Sequence, residues 1–195
     1  MRSAGRRLVG ANPMNPKTRA VMMSSASDDW GTPQVIVDAV KRYAPIGLDP
    51  CGGPNSVVKA KCTIKPPQDG IHVKWKVLPT EIVFVNPPFG PRGAWVPLWI
   101  EKAIQAQDDE GTESILLVTA RTDTRWFHRL FTKGLMICFV KGRLHFRVGN
   151  ARTGPAPFPS SVALLPGEYI SRERLESQRR KFTDVFSPFG KVVSL

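Results

Sequence analysis

The chain has 195 residues, of which 42% are hydrophobic, and carries 28 Lys and Arg against 16 Asp and Glu, a formal net charge of +12. That length supports one substantial core and leaves little for a second full domain. No apolar run approaches the roughly 20 residues of a membrane span, and no apolar segment follows the N-terminal arginines as a secretory signal requires. A soluble chain is therefore expected, with a polyanion such as nucleic acid as the partner its charge favours.

In chain order, residues 1–27 hold Arg2, Arg6, Arg7, Lys17 and Arg19 and no acid. They read as a disordered basic arm, ahead of an ordered domain over 28–170 and a charged C-terminal extension over 171–195. Thr32-Pro33 opens a helix, with Thr as N-cap and Pro at the first helical position. Val35, Ile36, Ala39, Val40 and Tyr43 then recur at helical spacing. Ile46-Gly47-Leu48 is a short strand entering the turn Asp49-Pro50-Cys51-Gly52-Gly53-Pro54. A second short strand over 61–64 precedes the loop that contains Asp69-Gly70.

The β-branched and aromatic run 81–85 predicts a buried strand that passes straight into Asn86-Pro87-Pro88-Phe89-Gly90. A helix over 95–107, a strand over 114–119, a loop over 120–124 and a short helix over 125–132 follow. Strands over 135–140 and 161–165 flank Gly142-Arg143-Leu144-His145-Phe146, and 171–181 is a charged helix. Alternating strands and helices predict an α/β fold with a largely parallel sheet and helices on both faces. Ligands of such sheets bind at the carboxyl ends of the strands. The Asp49 turn, the Asn86 turn and the Arg121 loop are thus expected to line one cleft.

The Asn86 turn has a chemistry of its own. An exocyclic amine is a poor nucleophile because its lone pair is delocalised into the ring, and accepting hydrogen bonds from both N–H groups localises that pair. The Asn86 side-chain oxygen and the Pro87 carbonyl are two such acceptors, the second held by the proline ring. Phe89 offers a face on which a flipped base can stack. Toward a sulfonium methyl donor, positioning does most of the work and no strong general base is needed.

In the Asp49-Pro50-Cys51-Gly52 turn, glycine allows close backbone approach and the carboxylate suits a donor's methionine end, although the same residues also make an ordinary turn. Asp69-Gly70 reads either as an acceptor for a donor's adenine amine or as a surface turn. Trp30, Thr32 and Pro33 either close the same pocket or staple a helix start. Arg121, Asp123, Arg125, Trp126 and His128 suit phosphate contact and stacking. Equally, they read as a helix cap, a buried Trp and solvated arginines. Lys141, Arg143, His145, Arg147 and Arg152 extend a basic strip. Cys51, Cys62 and Cys138, with His72, His128 and His145, lack the spacing of a disulfide framework or a zinc site, so reduced thiols and no metal are expected.

These stretches carry a resemblance in their order: Trp30-Gly31-Thr32-Pro33; Leu48-Asp49-Pro50-Cys51 with Asn55 and Cys62; Asp69-Gly70 with Trp75; Asn86 to Gly90; Ala120 to His128; Gly142-Arg143-Leu144 with Phe146; and Ala156 to Ser161. Over about residues 28–166 the sequence resembles the phage-encoded DNA N6-adenine methyltransferases of the Dam type. The resemblance implies a Rossmann-like methyltransferase fold, S-adenosylmethionine as cofactor, and methylation of adenine N6 in DNA, double-stranded DNA being favoured. It casts Asn86, Pro87, Pro88 and Phe89 as the catalytic motif and Asp49 and its neighbours as donor-binding. It draws Arg121, Thr122, Asp123, Arg125, Trp126, His128 and Arg143 toward the DNA. The expected location is a bacterial cytoplasm, that of the host if the chain is phage-encoded. Phe89 stands where Tyr is common, and no acidic residue closes the second strand to hold a ribose. The rival readings are an RNA base or protein glutamine amide as acceptor, and a DNA-binding module without turnover.

Overall fold

Residues 30–53, 56–88, 94–148, 151–152, 154–167 and 171–195 are described by the computed structural model. The strands are β1 (Trp30–Gly31), β2 (Ile46–Asp49), β3 (Cys62–Thr63), β4 (Ile82–Val85), β5 (Ser114–Thr119), β6 (Met136–Val140), β7 (Arg147–Val148), β8 (Ala151–Arg152), β9 (Ser160–Leu165) and β10 (Gly190–Ser194). The helices are α1 (Gln34–Tyr43), α2 (Val96–Glu110), α3 (Arg125–Lys133) and α4 (Arg172–Phe186). Seven strands form one sheet in the order β10-β6-β9-β5-β4-β2-β3, and β1-β7-β8 form a small second one. The arm expected over residues 1–27 lies outside the described residues.

Side chains alternate along each central strand, so successive apolar residues serve opposite faces. Ile82, Phe84, Ile115, Leu117, Val162 and Leu164 pack with Ile36, Val40 and Tyr43 of α1 and Phe182 and Phe186 of α4. Val83, Val85, Leu116, Val118, Ala163 and Leu165 pack with Trp99, Ile100 and Ile104 of α2 and Phe127 and Leu130 of α3. The sheet is therefore covered on both faces, and the expected α/β architecture is present. No helix among the described residues is long and apolar enough to cross a membrane.

The strand directions refine the expectation of a largely parallel sheet. β2 pairs parallel with β3 and β4, and β4 parallel with β5. β9 enters antiparallel between β5 and β6, so β6 runs with the parallel set, while β10 pairs antiparallel with β6. The cause is the connection over 141–159. Its described residues form no helix that could carry the chain back across the sheet, and β9 runs antiparallel to β6.

Two local expectations are corrected at the start of α1. The helix begins at Gln34, and Pro33 rather than Thr32 is the cap residue, its carbonyl accepting from the Ile36 and Val37 amides at 3.0 and 3.2 Å. Thr32 stands one position before the cap, and its hydroxyl is bonded to a distant side chain, as described below. The apolar stripe also turns by one residue: Val37 is buried, whereas Val35 is 56% exposed. The sequence pattern gave no sign of β1, which pairs antiparallel with β7.

Residues 171–195, expected as a charged extension, supply α4 and the edge strand β10. Ser171 caps α4 by accepting from the Arg174 amide at 3.2 Å. Phe182 and Phe186 lie fully buried against the sheet, their rings 4.5 Å apart. Glu113, just ahead of β5, accepts from the Tyr43 hydroxyl of α1 and from the Gln178 amide of α4. Burial raises the Glu113 pKa, and these two hydrogen bonds oppose the shift. The same burial raises the Tyr43 hydroxyl, so it remains a donor. One carboxylate thus joins two helices to the sheet at its amino edge.

Candidate active site

Because β2, β4, β5 and β6 point the same way, the Asp49 turn, the Asn86 turn, the Arg121 loop and Gly142-Arg143 all emerge at one edge. Asp49 ends β2 and is 3% exposed. Its Oδ2 accepts from Ser56 Oγ at 3.0 Å and its Oδ1 from the Cys51 amide at 3.3 Å. Burial dominates over these contacts and raises the Asp49 pKa to about 6. Ser56 was not singled out by sequence reasoning, since a serine beyond a Gly-Pro turn carries no local signal of the contact.

The turn is packed tightly. A Cβ at Gly52 would stand 2.1 Å from Thr63 Cγ2 and 3.1 Å from Asp49 Oδ2. A Cβ at Gly70 would stand 1.9 Å from the Pro50 carbonyl oxygen, so only glycine lets the Asp69 loop close on this turn. Trp75 pins that loop from behind by donating from Nε1 to the Gly70 carbonyl at 2.7 Å, and it stacks on Trp99. The Asp69 carboxylate caps its own turn: Oδ1 accepts from the Ile71 amide at 2.9 Å and Oδ2 meets His72 Nδ1 at 3.0 Å.

Asn86 follows β4 and is held from two sides. Cys51 Sγ donates to its backbone carbonyl at 3.2 Å, and its own Nδ2 donates to Thr32 Oγ1 at 3.1 Å. Burial, then the neighbouring Asp49 charge, raises the Cys51 pKa, which keeps the thiol protonated as the donor. Thr32 is buried, Pro87 is buried and Pro88 half-buried. Phe89 and the Trp30 side chain lie outside the described residues. Trp30 and Gly31 contribute their backbone to β1, and Pro33 leads into α1.

β4 and β5 end at different heights. Val85 stands level with Leu116, and β5 continues to Thr119, so the Arg121 loop rises above Asn86. Within that loop the Thr124 hydroxyl donates to the Arg121 carbonyl at 2.7 Å, and Arg121 Nε meets Asp123 Oδ1 at 3.4 Å. His128 Nε2 lies 3.0 Å from the Thr122 carbonyl. Arg121, Thr122, Asp123, Arg125 and His128 are exposed. Trp126 is half-buried beside Phe127. Thr124, not Asp123, is the cap residue of α3. Gly142, with φ of 79°, turns the chain beyond β6 and leaves Arg143 exposed at the same edge.

Backbone bonds tie these segments together. The Ala120 amide donates to the Pro159 carbonyl at 2.9 Å, and the Ala156 amide to the Leu144 carbonyl at 2.8 Å. The loops over 120–128, 142–146 and 156–161 are therefore one continuous rim beside the Asn86 turn. The family model described as DNA N-6-adenine-methyltransferase (Dam) matches residues 19–181. The chain belongs to the Dam family. The Dam match extends past the Ala156 segment through most of α4, so that helix lies within the family's own length. Among curated proteins, no sequence matches this Dam-family chain.

Proposed function

We propose that the protein transfers a methyl group from S-adenosylmethionine to the exocyclic N6 of adenine in DNA, with the base flipped out of the duplex into the carboxyl-edge cleft of a Rossmann-like methyltransferase fold. The observation that carries this reading is the placement of Asn86: it ends a parallel strand, and Cys51 and Thr32 grip it from the two neighbouring segments. Membership of the Dam family supplies the acceptor.

The chemistry of the donor set fits S-adenosylmethionine. Asp49 is a buried carboxylate whose ionisation is opposed by burial, and a cationic group beside it would relieve that penalty. Asp49, Pro50, Cys51 and Gly52 would hold the methionine end, with Asp69 and Gly70 across the turn and Trp30 and Pro33 near its mouth. When bound, the cofactor supplies an electrophilic sulfonium methyl. On the other side, the Asn86 Oδ1 and the Pro87 carbonyl accept the two N–H groups of the adenine amine and draw its nitrogen toward tetrahedral geometry. The amine's lone pair would form the new N–C bond as the sulfonium S–C bond breaks; the donor would leave as a neutral thioether and the positive charge would pass to the nitrogen. Those carbonyl dipoles favour that charge until one proton leaves to solvent. Phe89 stacks on the flipped base. Arg121, Arg125 and Arg143, with Thr122, Asp123, Trp126 and His128, receive the backbone of double-stranded DNA.

The test is incubation with labelled S-adenosylmethionine and a panel of duplex DNA, RNA and protein, followed by nucleoside digestion and mass identification. N6-methyladenine in DNA is expected. Asn86→Ala should remove transfer by at least a hundredfold while the melting temperature and DNA affinity persist. Label in RNA or protein alone, or undiminished transfer by the variant, overturns the reading.

A further inference from the structure

We infer that Thr32 is a positioning residue for the methyl acceptor: its hydroxyl anchors the side-chain amide of Asn86, whose Oδ1 is turned away from it. This rests on the reading of Asn86 as the amine-binding side chain and extends it to the residue bonded to that side chain.

An asparagine amide has two opposite ends, an oxygen that accepts and a nitrogen that donates. An amine about to be methylated needs the accepting end, because a donor aimed at its lone pair would tie up the electrons that attack. The two ends have nearly the same shape, so packing alone discriminates poorly between them. In this structure Asn86 Nδ2 donates to Thr32 Oγ1 at 3.1 Å; a hydroxyl can also donate, so the bond anchors the amide in place rather than choosing its end. That bond turns Oδ1 to the side away from Thr32.

The acceptor is also rigidly mounted. Thr32 is 4% exposed. The residue before it, Gly31, is paired to Arg147 in the β1–β7 ladder. Behind it Pro33 restricts the Thr32 backbone to extended conformations and leads directly into α1. The β-branched side chain has few rotamers with which to follow a moving partner. On the far side of Asn86, Cys51 Sγ holds the backbone carbonyl at 3.2 Å, so the residue's main chain and its amide are fixed separately.

Thr32→Val keeps the shape and removes the hydroxyl, and Thr32→Ser keeps the hydroxyl and removes the methyl. Both would be compared with the wild type and Asn86→Ala on a duplex that the wild type methylates. For Thr32→Val, kcat should fall on the order of tenfold, the worth of one hydrogen bond. Its KM for DNA and for S-adenosylmethionine should stay within about twofold, since a net hydrogen bond elsewhere is unaltered. Thr32→Ser should recover kcat to within about threefold of the wild type, having restored that bond.

A second readout is independent of turnover. With 15N-labelled asparagine, Asn86 is one of the five asparagines Asn12, Asn15, Asn55, Asn86 and Asn150, and its side-chain amide pair is the one missing in Asn86→Ala. That pair should shift in Thr32→Val and stay near its place in Thr32→Ser. Unchanged kcat and an unmoved amide pair in Thr32→Val overturn the inference. So does an equal loss in both variants, which would assign the effect to packing. If the wild type methylates no nucleic acid at all, the functional reading fails instead, and the amide pair alone still decides whether Thr32 anchors Asn86.

Discussion

Asp49, a buried carboxylate, weakens the fold that carries it. Burial lifts its folded-state pKa from 3.8 to about 6. A raised carboxyl pKa means that the folded chain holds the proton more tightly than the unfolded one between those values. Its contribution to stability is therefore fully present below about pH 4 and declines as pH rises toward 6, leaving a penalty on the order of 3 kcal/mol above that. Asp49→Asn keeps the shape and removes the charge. Its melting temperature at pH 7.5 should rise above that of the wild type, and the difference should vanish near pH 4. Calorimetric binding of S-adenosylmethionine should weaken at least tenfold in the same variant. A variant no more stable at neutral pH would show that Ser56 and the Cys51 amide already compensate the buried charge.

At the scale of elements, the Glu113 carboxylate decides how α4 docks. It gathers the Tyr43 hydroxyl from α1 and the Gln178 amide from α4 ahead of β5, while Arg174 Nη2 reaches the Pro79 carbonyl at 2.7 Å. Glu113→Ala strands two buried donors, and a stranded donor costs about 1–3 kcal/mol. Urea unfolding should show a loss of about 2–4 kcal/mol, with Glu113→Gln losing less because one acceptor remains. A loss below about 0.5 kcal/mol would assign the docking of α4 to Phe182 and Phe186 alone. This hub was not legible in the sequence, which marked 171–181 only as a charged helix. Phe182, Val185 and Phe186 fall beyond that stretch, and the sheet face they cover is formed by strands distant in the chain.

Across the whole molecule, a net charge of +12 makes any polyanion an attractive partner, and the fold says where some of that charge lies. Arg121, Arg125 and Arg143 are exposed at the carboxyl edge of the sheet. Each phosphate contact releases condensed counterions, so duplex affinity should fall linearly with the logarithm of salt concentration. Arg121→Ala, Arg125→Ala and Arg143→Ala should each reduce that slope by roughly 0.9, one contact apiece, as read by fluorescence anisotropy over a salt series. Unaltered slopes in all three would move the DNA to another face of the protein.

The sequence by itself determined the features that depend on neighbours in the chain. The β-branched and aromatic run 81–85 read as a buried strand, and Pro87-Pro88 had to end it, so Asn86 was recognisable at a strand terminus. The same local logic gave β5 its bounds and placed the Arg121 loop after it. Only the tertiary structure decided what these termini meet. Strand direction follows from the route of the connecting chain, so the reversal of β9 was invisible to periodicity. The Thr32 hydroxyl followed the same rule: locally it looked like a helix cap, yet a side chain 54 positions away claims it. A hydrogen-bonding group goes to the best partner in three dimensions, and sequence pattern ranks only the nearby ones.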